Sequence, residues 1–146
     1  MATAKSSIRI GAHVPTSGGM ATRSIKYALT IKAETIQVFA SSPRTWATSA
    51  PNPAMDEAFK AKTSEHDIKP YVHASFLINL GSPTVSTYEN SLAATAYSLK
   101  RGYEIGAHGV VVHTGSAVDE SHVDKAWKQI HEGVMPILNN LKDEDP

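Results

Sequence analysis

Gly109-Val110-Val111-Val112-His113 decides the fold class. Three consecutive valines show no alternation of apolar and polar side chains, which fits a strand buried on both faces. Such strands belong to parallel sheets covered by helices. Upstream, Leu92, Ala96, Leu99 and Tyr103 recur on one helical face, and Gly106 is a stop signal. Downstream, a helix is expected from about Ser121, with Val123, Trp127, Ile130, Val134, Ile137 or Leu138, and Leu141 as its apolar stripe. Pro136 lies inside that stripe and is expected to kink or split it.

The same strand-then-helix order repeats earlier in the chain. Ile8–Val14 reads as a strand, Met20–Ala33 as a helix, and Thr35–Phe39 as a second strand. Asn52-Pro53 predicts an N-cap followed by proline at the first helical position, with the helix running from about Ala54 towards His66. Pro70–Ala74 is the third strand, entered through a proline. Four β-α units imply a parallel sheet with right-handed crossovers, either doubly wound or part of a (β/α)₈ barrel. The chain contains neither G-x-G-x-x-G nor G-x-x-x-x-G-K-[ST], which disfavours a nucleotide-binding fold.

Composition sets the outer bounds. The chain has 146 residues, 41% hydrophobic and 19% charged, the profile of a globular domain. No apolar run approaches the ~20 residues of a membrane span, and the Met1–Ser7 segment is not read as a signal peptide, so the expected compartment is the cytoplasm with no membrane partner. The absence of cysteine excludes disulfides, thiolate metal sites and a cysteine nucleophile. G-x-S-x-G is also absent. Fourteen basic residues balance fourteen acidic ones, so net charge gives no support to nucleic-acid binding.

Seven histidines are the main chemical resource. His13, His73 and His113 fall at or near the C-terminal ends of three proposed strands, the functional face of β/α folds. Adjacent strands lie about 4.8 Å apart, so imidazoles there can reach one metal ion. One such histidine is ordinarily a hydrogen-bonded structural residue; three at equivalent places bring function level with structure. His66 and His108 fall in turns, and His122 and His131 on the last helix, where a surface role is the stronger reading. The Ser41-Ser-Pro-Arg-Thr-Trp46 loop offers Arg44 for a phosphate and Trp46 for stacking, or a surface arginine over a packed tryptophan. Phe76 and Leu77, directly after the third strand, are either core or a wedge for a nucleic-acid stack.

Taken together, Ile10-Gly-Ala-His-Val-Pro-Thr-Ser-Gly-Gly19, Gln37-Val-Phe39 with Ser42-Pro-Arg-Thr-Trp46, Val72-His-Ala-Ser-Phe-Leu-Ile-Asn-Leu80 and Val111-Val-His-Thr-Gly-Ser116 resemble endonuclease IV, the zinc-dependent apurinic/apyrimidinic endonuclease family. The resemblance implies a TIM-type, xylose isomerase-like barrel holding three zinc ions and cleaving the phosphodiester 5′ to an abasic site in double-stranded DNA. It further implies zinc ligation by His73 and His113, DNA contact by Arg44, and gap filling by Phe76 and Leu77. His13 lies on the active face without being a zinc ligand in the family.

The departures are specific. Thr114 and Ala117 replace the family's usual Pro and His, Phe76 its Tyr, Ser41-Ser42 its Lys-Asn, and Lys32 a helix-ending Gly. A full barrel needs about 250 residues, so residues 1–146 are expected to be an N-terminal half with two ligands of an incomplete site. The remaining ligands are expected on later strands, and Glu144, in a polar turn, is not read as one of them. The isolated half is expected to be inactive, with its first and fourth strands as unpaired edges. Two alternatives stand beside the nuclease: a non-catalytic half-barrel that pairs with itself or with a second chain, and a sugar isomerase or epimerase on a related barrel.

Overall fold

The computed structural model describes residues 8–142. Residues 1–7 and 143–146, and with them the reading of Met1–Ser7 and of Glu144, lie outside the described residues. Strands β1 (Gly11–His13), β2 (Thr35–Phe39), β3 (Lys69–His73) and β4 (Val110–Val111) form one parallel sheet in the order β1-β2-β3-β4. A doubly wound sheet reverses its strand order at a switch point. No reversal occurs among the described strands: each crossover places the next strand beside the last, the progression of a barrel wall.

The helices are α1 (Ile25–Thr30), preceded by a π-helical segment at Gly19–Ser24, then α2 (Pro53–Glu65), α3 (Val85–Glu104) and α4 (Val123–Asn139), preceded by a 3-10 turn at Glu120–His122. α2 begins as its sequence predicts: Asn52 Oδ1 accepts from the Met55 amide at 3.3 Å, and Pro53 occupies the first position. The main core lies between the sheet and the helices on one side, where Ile36, Val38 and Val72 meet Ile25, Ala28 and Phe59. A second cluster, Ala74, Ile78 and Leu80, packs against Leu92, Ile130 and Val134 of α3 and α4.

The valine run behaves differently from its reading. Helices cover only one face of the sheet among the described residues, and β4 has one neighbour, β3. Val110 and Val112 are therefore half-buried and Val111 is 39% exposed. β1 is exposed along its length, so the expected edges at β1 and β4 are present. The strand over Ile8–Val14 is shorter than expected, although Glu34 N–H still donates to Ile10 O and Val14 N–H to Gln37 O on either side of it.

Three helix expectations are also corrected. The first helix stops at Thr30 rather than Ala33, and Leu29 and Ile31 stay exposed. The stop is a left-handed cap at Lys32 (φ 55°), with the Ala33 amide donating to Ala28 O at 2.9 Å. α3 buries Ser91, Thr95, Ser98, Arg101 and Gly102, not the Leu92–Tyr103 stripe. That burial is tolerated because Ser91, Thr95 and Ser98 return their hydroxyls to carbonyls one turn back, at 2.6–2.8 Å, leaving no orphaned donor. Leu99 and Tyr103 instead line a groove with Ile137 and Leu141 of α4. α4 runs unbroken through Pro136, so the helix is not split there, and only three residues of it follow the proline. Finally, Arg101 pins α3 to α2 through two 2.8 Å hydrogen bonds to Asp56.

Candidate functional site

Parallel register aligns the strand ends. His13 pairs with Gln37, and Phe39 with His73, which pairs in turn with Val111. Because side chains alternate along a strand, burial of Val38 and Val72 under the helices turns Phe39 and His73 to the open face. His113, two residues beyond Val111, follows the same alternation. The outcome is an aromatic row at the C-terminal edge. The His13 and Phe39 rings are 4.4 Å apart, Phe39 and His73 5.2 Å, and His73 and His113 5.1 Å.

Hydrogen bonding sets the state of His73. Its Nδ1 is 2.7 Å from the Ala74 carbonyl, which can only accept, so Nδ1 carries a proton and, in the neutral ring, Nε2 is the nitrogen with the lone pair. That is the tautomer a metal ligand needs. Two imidazoles on one tetrahedral zinc, each at about 2.0–2.1 Å, place their ring centres about 5 Å apart, in keeping with the 5.1 Å between His73 and His113. The pair thus fits as part of a zinc site. No group of three or more His, Cys, Asp or Glu able to hold a metal occurs among the described residues, so the pair does not complete four ligands. His13 Nδ1 lies 3.2 Å from Gln37 Oε1, which ties its ring to β2.

The loops after β2 and β3 are latched together. The Pro43 carbonyl accepts from the Phe76 amide and from Ser75 Oγ, both at 3.0 Å. Ser75 Oγ also accepts from the Leu77 amide at 3.2 Å. The latch sets Arg44 beside Phe76 and Leu77 on one rim. Phe76 is 58% exposed while its ring stays 5.5 Å from His73, and Leu77 is exposed as well. The apolar run thus divides: Ile78 and Leu80 are core, whereas Phe76 and Leu77 stand on the surface. Arg44 is exposed and has no ion-pair partner among the described residues. Trp46 is also exposed rather than packed beneath its loop.

Asn79 is the residue that sequence reasoning passed over. Its Oδ1 accepts from the Gly81 amide at 3.1 Å and from the Ser116 amide at 3.0 Å. The Leu80 amide donates to Thr114 O at 2.9 Å, which holds the loop that follows His113. Gly115 (φ 87°) passes so close that an added Cβ would lie 2.2 Å from Asn79 Oδ1. The sequence signal was a glycine directly after a histidine-bearing strand. The other histidines lie elsewhere. His66 caps α2 and His108 precedes β4, both at the opposite end of the strands, and His131 is exposed on α4. His122 opens α4 with a buried Nε2 that has no hydrogen-bond partner among the described residues.

With the strand-end site in place, residues 25–145 match the family described as xylose isomerase-like TIM barrel. The chain belongs to that family. Within it, the chain is 47% identical over 138 residues to a protein named probable endonuclease 4 from Streptomyces coelicolor, covering 94% of this chain and 47% of that protein. It is 34% identical to endonuclease 4 of Thermus thermophilus over 84% of this chain and 46% of that protein. The solved structure of endonuclease IV from Thermus thermophilus superposes with a TM-score of 0.72 at 30% identity, covering 92% of this chain and 48% of that one. The resemblance to endonuclease IV is thus borne out, and the chain spans about half the length of the relatives it matches. A D-tagatose 3-epimerase-like protein, 14% identical with a TM-score of 0.63, shares the fold. No helix among the described residues is long and apolar enough to cross a membrane.

Proposed function

We propose that this chain forms the N-terminal half of a zinc-dependent endonuclease barrel acting on abasic DNA. One juxtaposition carries the reading: a pair of imidazoles 5.1 Å apart, His73 and His113, lies beside an exposed Phe76-Leu77 rim that the Pro43 latch ties to Arg44. The names of the relatives, endonuclease 4, support it. Zinc, when bound, supplies a lowered-pKa water and stabilises charge on a phosphate. His73 and His113 hold it through their ring nitrogens. Arg44 contacts a phosphate, and Phe76 and Leu77 fill the gap left when an abasic nucleotide leaves the stack. His13, tethered to Gln37, borders this space.

A catalytic zinc takes three protein ligands. Cleavage therefore needs ligands beyond the described residues, and the 146-residue chain binds abasic DNA without cutting it. The test is fluorescence anisotropy with abasic and intact duplexes. The expected result is tighter binding of the abasic duplex, reduced by Arg44→Ala and by Phe76→Ala. Equal binding to both duplexes overturns the reading, and binding of simple sugars in place of DNA favours the isomerase or epimerase alternative. Chelator-sensitive incision by the chain alone overturns the claim that its metal site is incomplete.

A second reading rests on the exposed edges β1 and β4 and on the open sheet face with Val111. It holds that two half-barrels, or this half and a second chain, pair to close the wall. Sedimentation decides it, since a folded monomer refutes self-pairing.

A further inference from the structure

We propose that Asn79 is the positioning residue that sets the His113 ring against His73; this rests on the metal-binding reading above. His113 lies outside the paired part of β4, which ends at Val111, so the strand ladder does not fix it. What fixes the loop behind it is the segment after β3. Asn79 Oδ1 takes the Ser116 amide at 3.0 Å, and the Leu80 amide takes the Thr114 carbonyl at 2.9 Å. These two bonds bracket Gly115, whose hydrogen-only side allows the close approach. Asn79 is itself anchored: its amide donates at 2.9 Å to the hydroxyl of Ser91, a fully buried residue of α3. The loop that follows His73 thereby carries the geometry of His113. His73 is set by its strand ladder, and His113 by the loop that continues from His73 rather than by its own strand end.

Both hydrogen bonds of the Asn79 side chain run through Oδ1 as acceptor. A carboxylate can accept both, whereas a methyl group can accept neither. Asn79→Asp therefore keeps the clamp and Asn79→Ala opens it. Gly115→Ala opens it from the other side, by collision with Asn79.

The experiment follows the histidine ring signals of the 146-residue chain by NMR, first without metal and then through a Co²⁺ titration. In the wild type, a ring-to-ring Overhauser contact links His73 and His113, and both rings respond to Co²⁺ together. In Asn79→Ala the contact is lost, Co²⁺ shifts His73 alone, and affinity falls about 10-fold or more, as for loss of an outer-shell partner. Asn79→Asp behaves as wild type. If Asn79→Ala does not fold, Gly115→Ala gives the same test. Retention of the ring contact in Asn79→Ala or in a folded Gly115→Ala overturns the proposal, as does loss in Asn79→Asp. A wild type that shows the ring contact but no Co²⁺ response refutes the metal reading, while the clamp is still judged by the metal-free contact.

Discussion

Replacing Asp56 with alanine strands a guanidinium that the fold has almost removed from water. The side chains of Arg101 and Asp56 are 6% and 7% exposed, and two 2.8 Å bonds join them as a fork. Hydrogen bonding to Asp56 pushes the Arg101 pKa further above its ordinary value, so the arginine stays charged in every folding experiment. Removing one partner of a buried pair costs about 3–5 kcal/mol, mostly because the other charge is left uncompensated. The two sides differ here. After Asp56→Ala, Arg101 still contacts Glu104, which is partly exposed, so the cost falls towards about 3 kcal/mol. After Arg101→Ala, Asp56 loses its cation, while Glu104 keeps only Lys100, at 3.7 Å, and the cost rises towards about 5 kcal/mol. With a urea m-value of about 1–3 kcal/mol/M, the smaller loss alone moves the midpoint by roughly 1–3 M. The assay is urea unfolding of both single variants, the double alanine variant, and Asp56→Leu with Arg101→Met. The double alanine variant should lose less than the sum of the singles by about 2 kcal/mol or more, and the Leu–Met pair should recover most of the stability. Additivity within about 0.5 kcal/mol would refute the reasoning, because it would mean the fork is solvated in solution.

Lys32→Gly should stabilise the chain by about 1 kcal/mol, seen as a rise of a few degrees in thermal midpoint, because Lys32 holds the left-handed conformation that costs a side-chain-bearing residue about 1–2 kcal/mol. Burial, then Lys69 and Arg9, hold the His108 pKa below its ordinary 6.5. The unfolded chain therefore takes up that proton first, so stability is full above about 6.5 and falls as pH drops towards the folded pKa; His108→Gln should flatten that loss in unfolding measured against pH. Ser75→Ala removes one of the two donors on the Pro43 carbonyl. It should cost only about 0.5–1.5 kcal/mol of stability while weakening abasic-duplex binding in the anisotropy assay; unchanged binding would show that the latch does not place Arg44.

Local signals carried much of the fold. Asn52-Pro53 marked the start of α2 because a cap and a proline are decided within one turn. β2 occupies the range read for it, and β3 starts and ends one residue earlier than read, since β-rich runs bounded by turns are short-range patterns. What escaped depends on partners far along the chain. The buried side of α3 looked polar, because its hydroxyls satisfy themselves and Arg101 meets Asp56 45 residues away. The valine run marked the sheet correctly and overstated its burial, because a strand's sequence reflects a complete surround that the described residues supply on one side only. At the site, strand-end histidines were legible from spacing alone. Asn79 was not, because its bond to Ser116 spans 37 residues and no pattern of residue types announces it.

The loop after β2 is held at two points: at Pro43 by the β3 loop, and at Ser49, whose carbonyl accepts from the Tyr97 hydroxyl of α3 at 3.0 Å. Between those moorings Arg44, Thr45, Trp46, Ala47 and Thr48 form an exposed arc. Changes in that arc leave both anchors, the core and the histidine pair untouched. It is thus the stretch where descendants of this chain can change the side chains presented on this rim at little cost to folding.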